Sequence, residues 1–183
     1  MTKRALINID YTNDFVAENG ALTCGKPGQA IEEKVVQLTR EFHQNKDLVV
    51  FAIDLHEKED PHHPETKLFP PHNIRGTEGR NLYGSLQNLY DMIQGDKNVI
   101  YIDKTRYSAF AGTNLEQLLR ERGITEVHLI GVCTDICVLH TAVDAYNQGF
   151  NIVVHREAAA SFNQAGHEWA LDHFASSLGA EVR

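Results

Sequence analysis

The chain has 183 residues, 42% of them hydrophobic and 23% charged, with a formal net charge of -8. That length suits a single domain over residues 1–183 with a sizeable core, and the composition is that of an ordinary globular protein. No apolar run approaches the roughly 20 residues of a membrane span, the N-terminus lacks a signal-peptide pattern, and an acidic balance without a basic cluster argues against nucleic acid as a partner.

Three cysteines, Cys24, Cys133 and Cys137, make no disulfide framework, so a reducing compartment, the cytoplasm, is the expected setting. Strand-like and helix-like segments alternate along the chain. Ala5 to Ile9 reads as a first strand. Pro27 opens a helix whose apolar face is Ile31, Val35, Leu38 and Phe42, at the helical spacing of about 3.6 residues. Leu48 to Ile53 is a continuous apolar strand of the kind covered on both faces in parallel sheets. A long polar loop rich in His and Pro follows, then a helix over Leu82 to Ile93 and a third strand over Val99 to Ile102.

A capping-box pattern, Thr113 to Glu116, starts the next helix, which closes at Gly123. Val127 to Ile130 is the fourth strand and passes through Gly131 into a helix from Thr134 to Gly149. Asn151 to Val154 is a fifth strand, Gln164 to Leu178 a helix with Ala170, Phe174 and Leu178 inward, and a short sixth strand begins at Ala180. The alternation predicts an α/β fold, a mainly parallel sheet of roughly six strands with helices on both faces. Ligands in such sheets bind beyond the carboxyl ends of the strands.

Those ends deliver chemistry. The first strand leads to Asp10, the second to Asp54, the third to Lys104 and the fourth to Cys137. Cys137 falls in the first turn of its helix, where free N–H groups and the macrodipole favour a thiolate over a thiol of ordinary pKa, about 8.5. An acid, a cation and a thiol form a nucleophilic set: a base for the thiol proton, a charge to hold the thiolate, and sulfur to attack. An Asp at a strand end is often only a cap or turn former. It is the coincidence that carries weight.

A second constellation is Asp54-Leu-His56, with Glu65 and His72 in the loop that follows. Alternate strand residues share a side, so Asp54 and His56 can act together. Mixed N/O ligands suit zinc, manganese or iron, and the absence of cysteine argues against a structural zinc. The competing view is a solvated polar loop. Other signals fail: His167-Glu168 begins a zinc-protease-like string, but Leu171 stands where the second histidine belongs. His140 reads as a core or interface histidine, and Cys133 as a small buried residue whose backbone matters more than its sulfur.

Four motifs stand in order: Ala5-Leu-Ile-Asn-Ile-Asp10-Tyr-Thr-Asn-Asp-Phe15, Ile53-Asp-Leu-His56, Asp103-Lys104-x-x-Tyr107-Ser-Ala-Phe110 and Gly131-Val-Cys-Thr-Asp-Ile-Cys137. Together they resemble the isochorismatase-like cysteine hydrolases, and among these the nicotinamidases, over nearly the whole chain. The resemblance implies a three-layer α/β/α sandwich and a catalytic triad of Asp10, Lys104 and Cys137. It implies a cis peptide at Val132–Cys133, with the N–H groups of Cys133 and Cys137 forming an oxyanion hole. It implies a divalent metal, zinc foremost with manganese or iron as alternatives, on Asp54, His56, His72 and Glu65, with His63 as the alternative to Glu65.

It further implies a pocket of Phe15, Leu22, Phe69 and Tyr107 around a flat ring. The implied reaction converts nicotinamide to nicotinate and ammonia through a cysteine thioester, with the metal orienting the pyridine. The partner is then a small-molecule amide, and a homo-oligomeric assembly stays open. Cys133 stands where such relatives usually carry a small apolar residue, which places a second thiol beside the site.

Three other functions compete. An amidohydrolase of the same superfamily acting on a carbamoyl or ureido compound keeps the triad without needing the metal set. A conventional metallohydrolase attacks with metal-bound water and ignores Cys137. A redox-sensing protein uses Cys133 and Cys137 as its thiols.

Overall fold

A computed structural model describes residues 3–183. Strand β1 (Arg4–Ile9) is followed by the short helices α1 (Asn13–Val16) and α2 (Lys26–Ala30), then by α3 (Glu32–Gln44), β2 (Leu48–Asp54), α4 (Ser85–Ile93) and β3 (Val99–Lys104). The second half runs α5 (Leu115–Glu121), β4 (Glu126–Val132), α6 (Leu139–Asn147), β5 (Asn151–Ala160), α7 (Gln164–Leu178) and β6 (Glu181–Val182). The sheet has six parallel strands in the order β3-β2-β1-β4-β5-β6.

Strand alternation divides the core into two layers. Ala5, Ile7, Ile9, Val50 and Ala52 face one, which holds Leu119, Ala142 and Phe174. Leu6, Val49, Phe51 and Ile53 face the other, with Val35, Phe42 and Leu86. Every residue of β2 is buried, as a strand covered on both faces must be. Among the described residues, no helix is long and apolar enough to cross a membrane.

The structure departs from the sequence expectations in local detail. The helix opened by Pro27 is interrupted at Ile31, where α2 stops and α3 starts, although Ile31, Val35, Leu38 and Phe42 are buried as the spacing requires. The Thr113–Glu116 capping box does not form. Thr113 Oγ1 donates to Ala109 O at 2.6 Å and accepts from Leu115 N at 3.2 Å, so the hydroxyl serves the preceding turn and α5 begins at Leu115. Strand β5 continues to Ala160 through a register shift against β4, because the polar stretch at His155 to Glu157 hides a strand that resumes at Ala158.

Candidate active site

The carboxyl ends of β1, β2, β3 and β4 meet in one crevice. Asp10 follows β1 in a left-handed conformation, φ 55°, which aspartate tolerates better than most residues. Its N–H donates to Ala52 O at 3.2 Å, and its Oδ1 accepts the Asp54 N–H at 2.8 Å. The carboxylate is thereby aimed along the sheet edge. Lys104, the last residue of β3, places Nζ 2.8 Å from Asp10 Oδ2, 3.5 Å from Asp54 Oδ1 and 3.8 Å from Cys137 Sγ, and donates to Arg106 O at 3.0 Å. Asp10 and Lys104 have no exposed surface, and Cys137 is 6% exposed.

Cys137 reaches this crevice through a tight turn. Gly131 takes φ +117°, and a Cβ there would strike the carbonyl oxygen of Ile9 on the neighbouring strand. The Val132–Cys133 peptide is cis. The chain then forms a turn of π-helix, Thr134–Val138, before α6, so the single helix expected from Thr134 is of two kinds. Cys133 O accepts from the N–H groups of Ile136 and Val138, but not from that of Cys137. Among the described residues the Cys133 N–H has no acceptor. A turn of this kind, with a free Cys133 N–H at the head of the turn that carries Cys137, is suited to a developing oxyanion.

The electrostatics of the crevice set burial against charge. Burial pushes the Cys137 thiol well above its ordinary range. Lys104 opposes that shift, and the Asp10 and Asp54 carboxylates add to it. Desolvation and the two anions thus act on the thiol against Lys104 and the helix terminus. Burial also pushes Asp10 up to about 6, against the pull of Lys104. Burial alone would lower Lys104, yet Asp10 and Asp54 together hold it charged. A carboxylate titrating near 6 beside a thiol that burial pushes upward is placed to take its proton.

The metal-ligand candidates also converge. Asp54, His56, Glu65 and His72, all buried, bring ligand atoms within 4.8 Å of one another. His56 Nε2 lies 2.7 Å from Asp54 Oδ2, and His72 Nε2 lies 3.5 Å from the same oxygen and 3.4 Å from Glu65 Oε2. His72 Nδ1 donates to Pro70 O at 2.8 Å, which turns Nε2 inward, and that buried nitrogen has no hydrogen-bond partner. Burial would keep Asp54 protonated, but Lys104 and the two histidines hold it far below the usual carboxylate range. Burial works against a charge on His72 too, and the Asp54 and Glu65 carboxylates, 3.5 and 3.4 Å from Nε2, outweigh it and push the group up to about 10. An inward, orphaned imidazole among two carboxylates and a second imidazole fits a divalent cation.

His63 does not join them. Its Nε2 bonds Thr105 O at 2.8 Å and its Nδ1 accepts from Glu65 N at 3.2 Å, so both ring nitrogens are committed. Its ring packs on His56 with centroids 4.1 Å apart.

Of the pocket candidates, Phe15 and Phe69 stand edge-on to His72 at 5.2 and 6.3 Å. Tyr107 is half-buried against the His140 ring at 5.2 Å. Leu22 packs on the core layer that contains Phe15. A cavity of about 490 Å³ adjoins the cluster, lined by His56, Glu65, Phe69 and His72.

Two neighbours were invisible in the sequence. The Cys133 sulfur meets Cys24 Sγ at 3.2 Å rather than Cys137, across 109 positions of chain that no local pattern links. Thr134 Oγ1 bonds His167 Nδ1 at 2.8 Å, tying the turn that carries Cys137 to α7. His140 is exposed and bonds Ile136 O through Nδ1 at 2.7 Å, so it serves its own helix and not the thiol.

Fold and crevice together define an α/β protein whose sheet edge unites a buried acid–lysine–thiol group with a metal-ligand cluster. The chain belongs to the isochorismatase domain family, whose model matches residues 4–183. It is 67% identical over 180 residues to an uncharacterized isochorismatase family protein, PncA, of Bacillus subtilis (strain 168), covering 98% of each chain. It is similar to a crystal structure of nicotinamidase/pyrazinamidase PncA from Bacillus subtilis, with a TM-score of 0.98, 66% identity and 99% of each chain covered. A pyrazinamidase of Pyrococcus horikoshii in complex with zinc superimposes with a TM-score of 0.85 at 29% identity, covering 99% of this chain and 98% of that one.

Proposed function

We propose that this chain is a nicotinamidase, an amidohydrolase that converts nicotinamide to nicotinate and ammonia through a thioester on Cys137. The observation that supports it most is the placing of Lys104 Nζ 2.8 Å from Asp10 and 3.8 Å from Cys137, beside the Asp54, His56, Glu65 and His72 cluster. The likeness to the nicotinamidase/pyrazinamidase PncA of Bacillus subtilis points the same way. The reading takes residues 1–183 as one cytoplasmic domain acting on a small molecule, with neither nucleic acid nor membrane as partner.

In this reading the substrate ring lies among Phe15, Leu22, Phe69 and Tyr107. Asp10 accepts the Cys137 proton as the sulfur attacks the amide carbon, and Lys104 balances the charge that the transfer leaves in a dry crevice. The N–H groups of Cys133 and Cys137 receive the oxyanion. Asp10 returns the proton to nitrogen, the C–N bond breaks and ammonia leaves. The same carboxylate then takes a proton from water as it attacks the thioester, and nicotinate departs with the thiol restored. A divalent metal on Asp54, His56, Glu65 and His72, zinc in this reading with manganese or iron as alternatives, supplies a Lewis-acidic point that orients the pyridine.

Ammonia release over a panel of nicotinamide, pyrazinamide and carbamoyl or ureido amides tests this, with elemental analysis of the same protein. Preference for the heteroaromatic amides with bound metal is the expected result. Turnover confined to the carbamoyl or ureido compounds would replace nicotinamide as the substrate.

A further inference from the structure

We infer that Arg80 is a positioning residue that locks Asp54 and Lys104 to each other and so holds the two halves of the site in one geometry. Arg80 ends a short 3-10 turn, Glu78–Arg80, beyond the loop that carries His72. Its side chain is 16% exposed and is directed at the sheet rather than at solvent. Nε donates to Asp54 O at 2.8 Å, while Nη2 donates to Ile53 O at 3.2 Å and to Asp103 Oδ1 at 2.5 Å. The guanidinium lies over the Tyr101 ring, 5.5 Å from its centroid.

These partners occupy the last two rungs between β2 and β3, where Ile53 pairs with Asp103 and Asp54 with Lys104. Strand β3 is at the edge of the sheet, so only β2 holds its register on one side. Lys104 is the terminal residue of that edge strand, the place where a strand frays most readily. Beyond the Leu55 N–H, which donates to Lys104 O at 2.8 Å, Arg80 is the contact that spans both strand ends, through Ile53 O, Asp54 O and Asp103.

The Asp54 peptide is thereby pinned from two directions. Its N–H goes to Asp10 Oδ1 at 2.8 Å and its C=O receives Arg80. With the backbone fixed, the carboxylate divides its oxygens. Oδ1 faces Lys104 at 3.5 Å, and Oδ2 faces His56 at 2.7 Å and His72 at 3.5 Å. A planar fork reaches two carbonyls and a carboxylate at once; a lysine there offers a single point charge. If Arg80 merely tethered its loop, Arg80→Lys would lower stability and nothing else.

The inference rests on the proposed reading of the two halves as a metal set and a triad. The test compares wild type, Arg80→Lys and Arg80→Ala for melting temperature, cobalt(II) affinity by visible absorbance with chelator competition, and kcat and KM at saturating metal. The expected result for Arg80→Lys is a folded protein with cobalt affinity lowered about 10-fold or more, the usual effect of losing an outer-shell partner. Its kcat stays low at saturating metal, because metal does not restore Lys104. Ethylguanidinium added to Arg80→Ala recovers part of both losses.

Should Arg80→Ala fail to fold, Asp103→Asn loosens the guanidinium alone and is expected to give smaller losses of the same two kinds. An Arg80→Lys protein with wild-type cobalt affinity and kcat overturns the inference and leaves the functional reading standing. Wild-type protein that neither binds cobalt nor releases ammonia overturns both.

Discussion

Asp10 and Asp54 are joined through the main chain: the Asp54 N–H donates to Asp10 Oδ1 at 2.8 Å, while the other Asp10 oxygen meets Lys104 at 2.8 Å. The acid proposed for proton transfer and the acid proposed for metal binding therefore share a contact as well as a cation. Disturbance of one half of the crevice reaches the other.

Cys137→Ala is expected to lower ammonia release from nicotinamide by about 10⁴-fold or more, the scale seen when a nucleophile is deleted. Metal content should be unchanged, since Cys137 is not among the four clustered ligand residues. Steady-state assays paired with elemental analysis check both halves. Substantial turnover by this variant would instead favour attack by metal-bound water.

Lys104→Met keeps the volume but leaves Asp10 and Asp54 facing each other in the interior without their ammonium. Removing one partner of a buried ion pair costs about 3–5 kcal/mol, because the remaining charge is uncompensated. Urea unfolding should show a loss on that scale together with loss of turnover. A variant as stable as wild type would mean that the carboxylates find another counter-charge.

Stripping the metal with a chelator should depress nicotinamide turnover and lower the melting temperature. Adding zinc or manganese should restore both. Saturation at 1,000 times Kd stabilises a folded site by about 4 kcal/mol. Activity of chelated protein equal to that of the loaded form would remove the orienting role.

Cys133→Ala should retain nearly all activity, because the role proposed for Cys133 is carried by its backbone N–H, and its sulfur faces Cys24. Gly131→Ala, one peptide away from Val132, should not yield folded protein, since its methyl group meets Ile9 O and its φ of +117° excludes a side chain. Expression and activity of the two variants side by side separate backbone from sulfur.

Acid should weaken the fold through a histidine pair remote from the crevice. His128 Nδ1 and His155 Nε2 lie 2.9 Å apart, and His128 Nε2 bonds Glu126. Burial, then His128, pushes His155 down to about 4 from the ordinary 6.5, with Arg183 and Lys34 adding to the effect and Glu181 opposing it. Burial lowers His128 as well. Below 6.5 the unfolded chain binds protons that the folded pair refuses, so stability falls as pH drops from about 6.5 to 4. Urea midpoints across that window should decline in wild type and decline less in His155→Asn.

Much of this was readable from residue order. Alternation of apolar strands with helical spacing gave the parallel sheet, and strand-end residues such as Asp10, Asp54 and Lys104 are exposed to inspection by the general rule for such sheets. The convergence of the four candidate ligands was legible because Asp54 and His56 share a strand side and Glu65 and His72 sit in one loop. What stayed hidden depends on distance in space. The commitment of His63 to Thr105, which leaves it outside the cluster, is seen only in the fold, and Cys24 meets Cys133 by the fold alone. The upward push of burial on the Cys137 thiol was also hidden, because helix position is visible in a sequence, whereas desolvation by surrounding layers is not. Thr113 misled for a related reason: its hydroxyl had a nearer acceptor than the helix it precedes.

The burial that leaves Cys137 only 6% exposed and pushes its thiol upward also bears on how it meets reagents other than substrate. Peroxides and simple alkylating agents react with thiolates, and an idle sulfur of this kind gives them little to attack. Selective inactivation calls for an electrophile mounted on a flat ring, such as an aldehyde or nitrile, so that docking itself brings the carbon to sulfur while the neighbouring acid receives the proton.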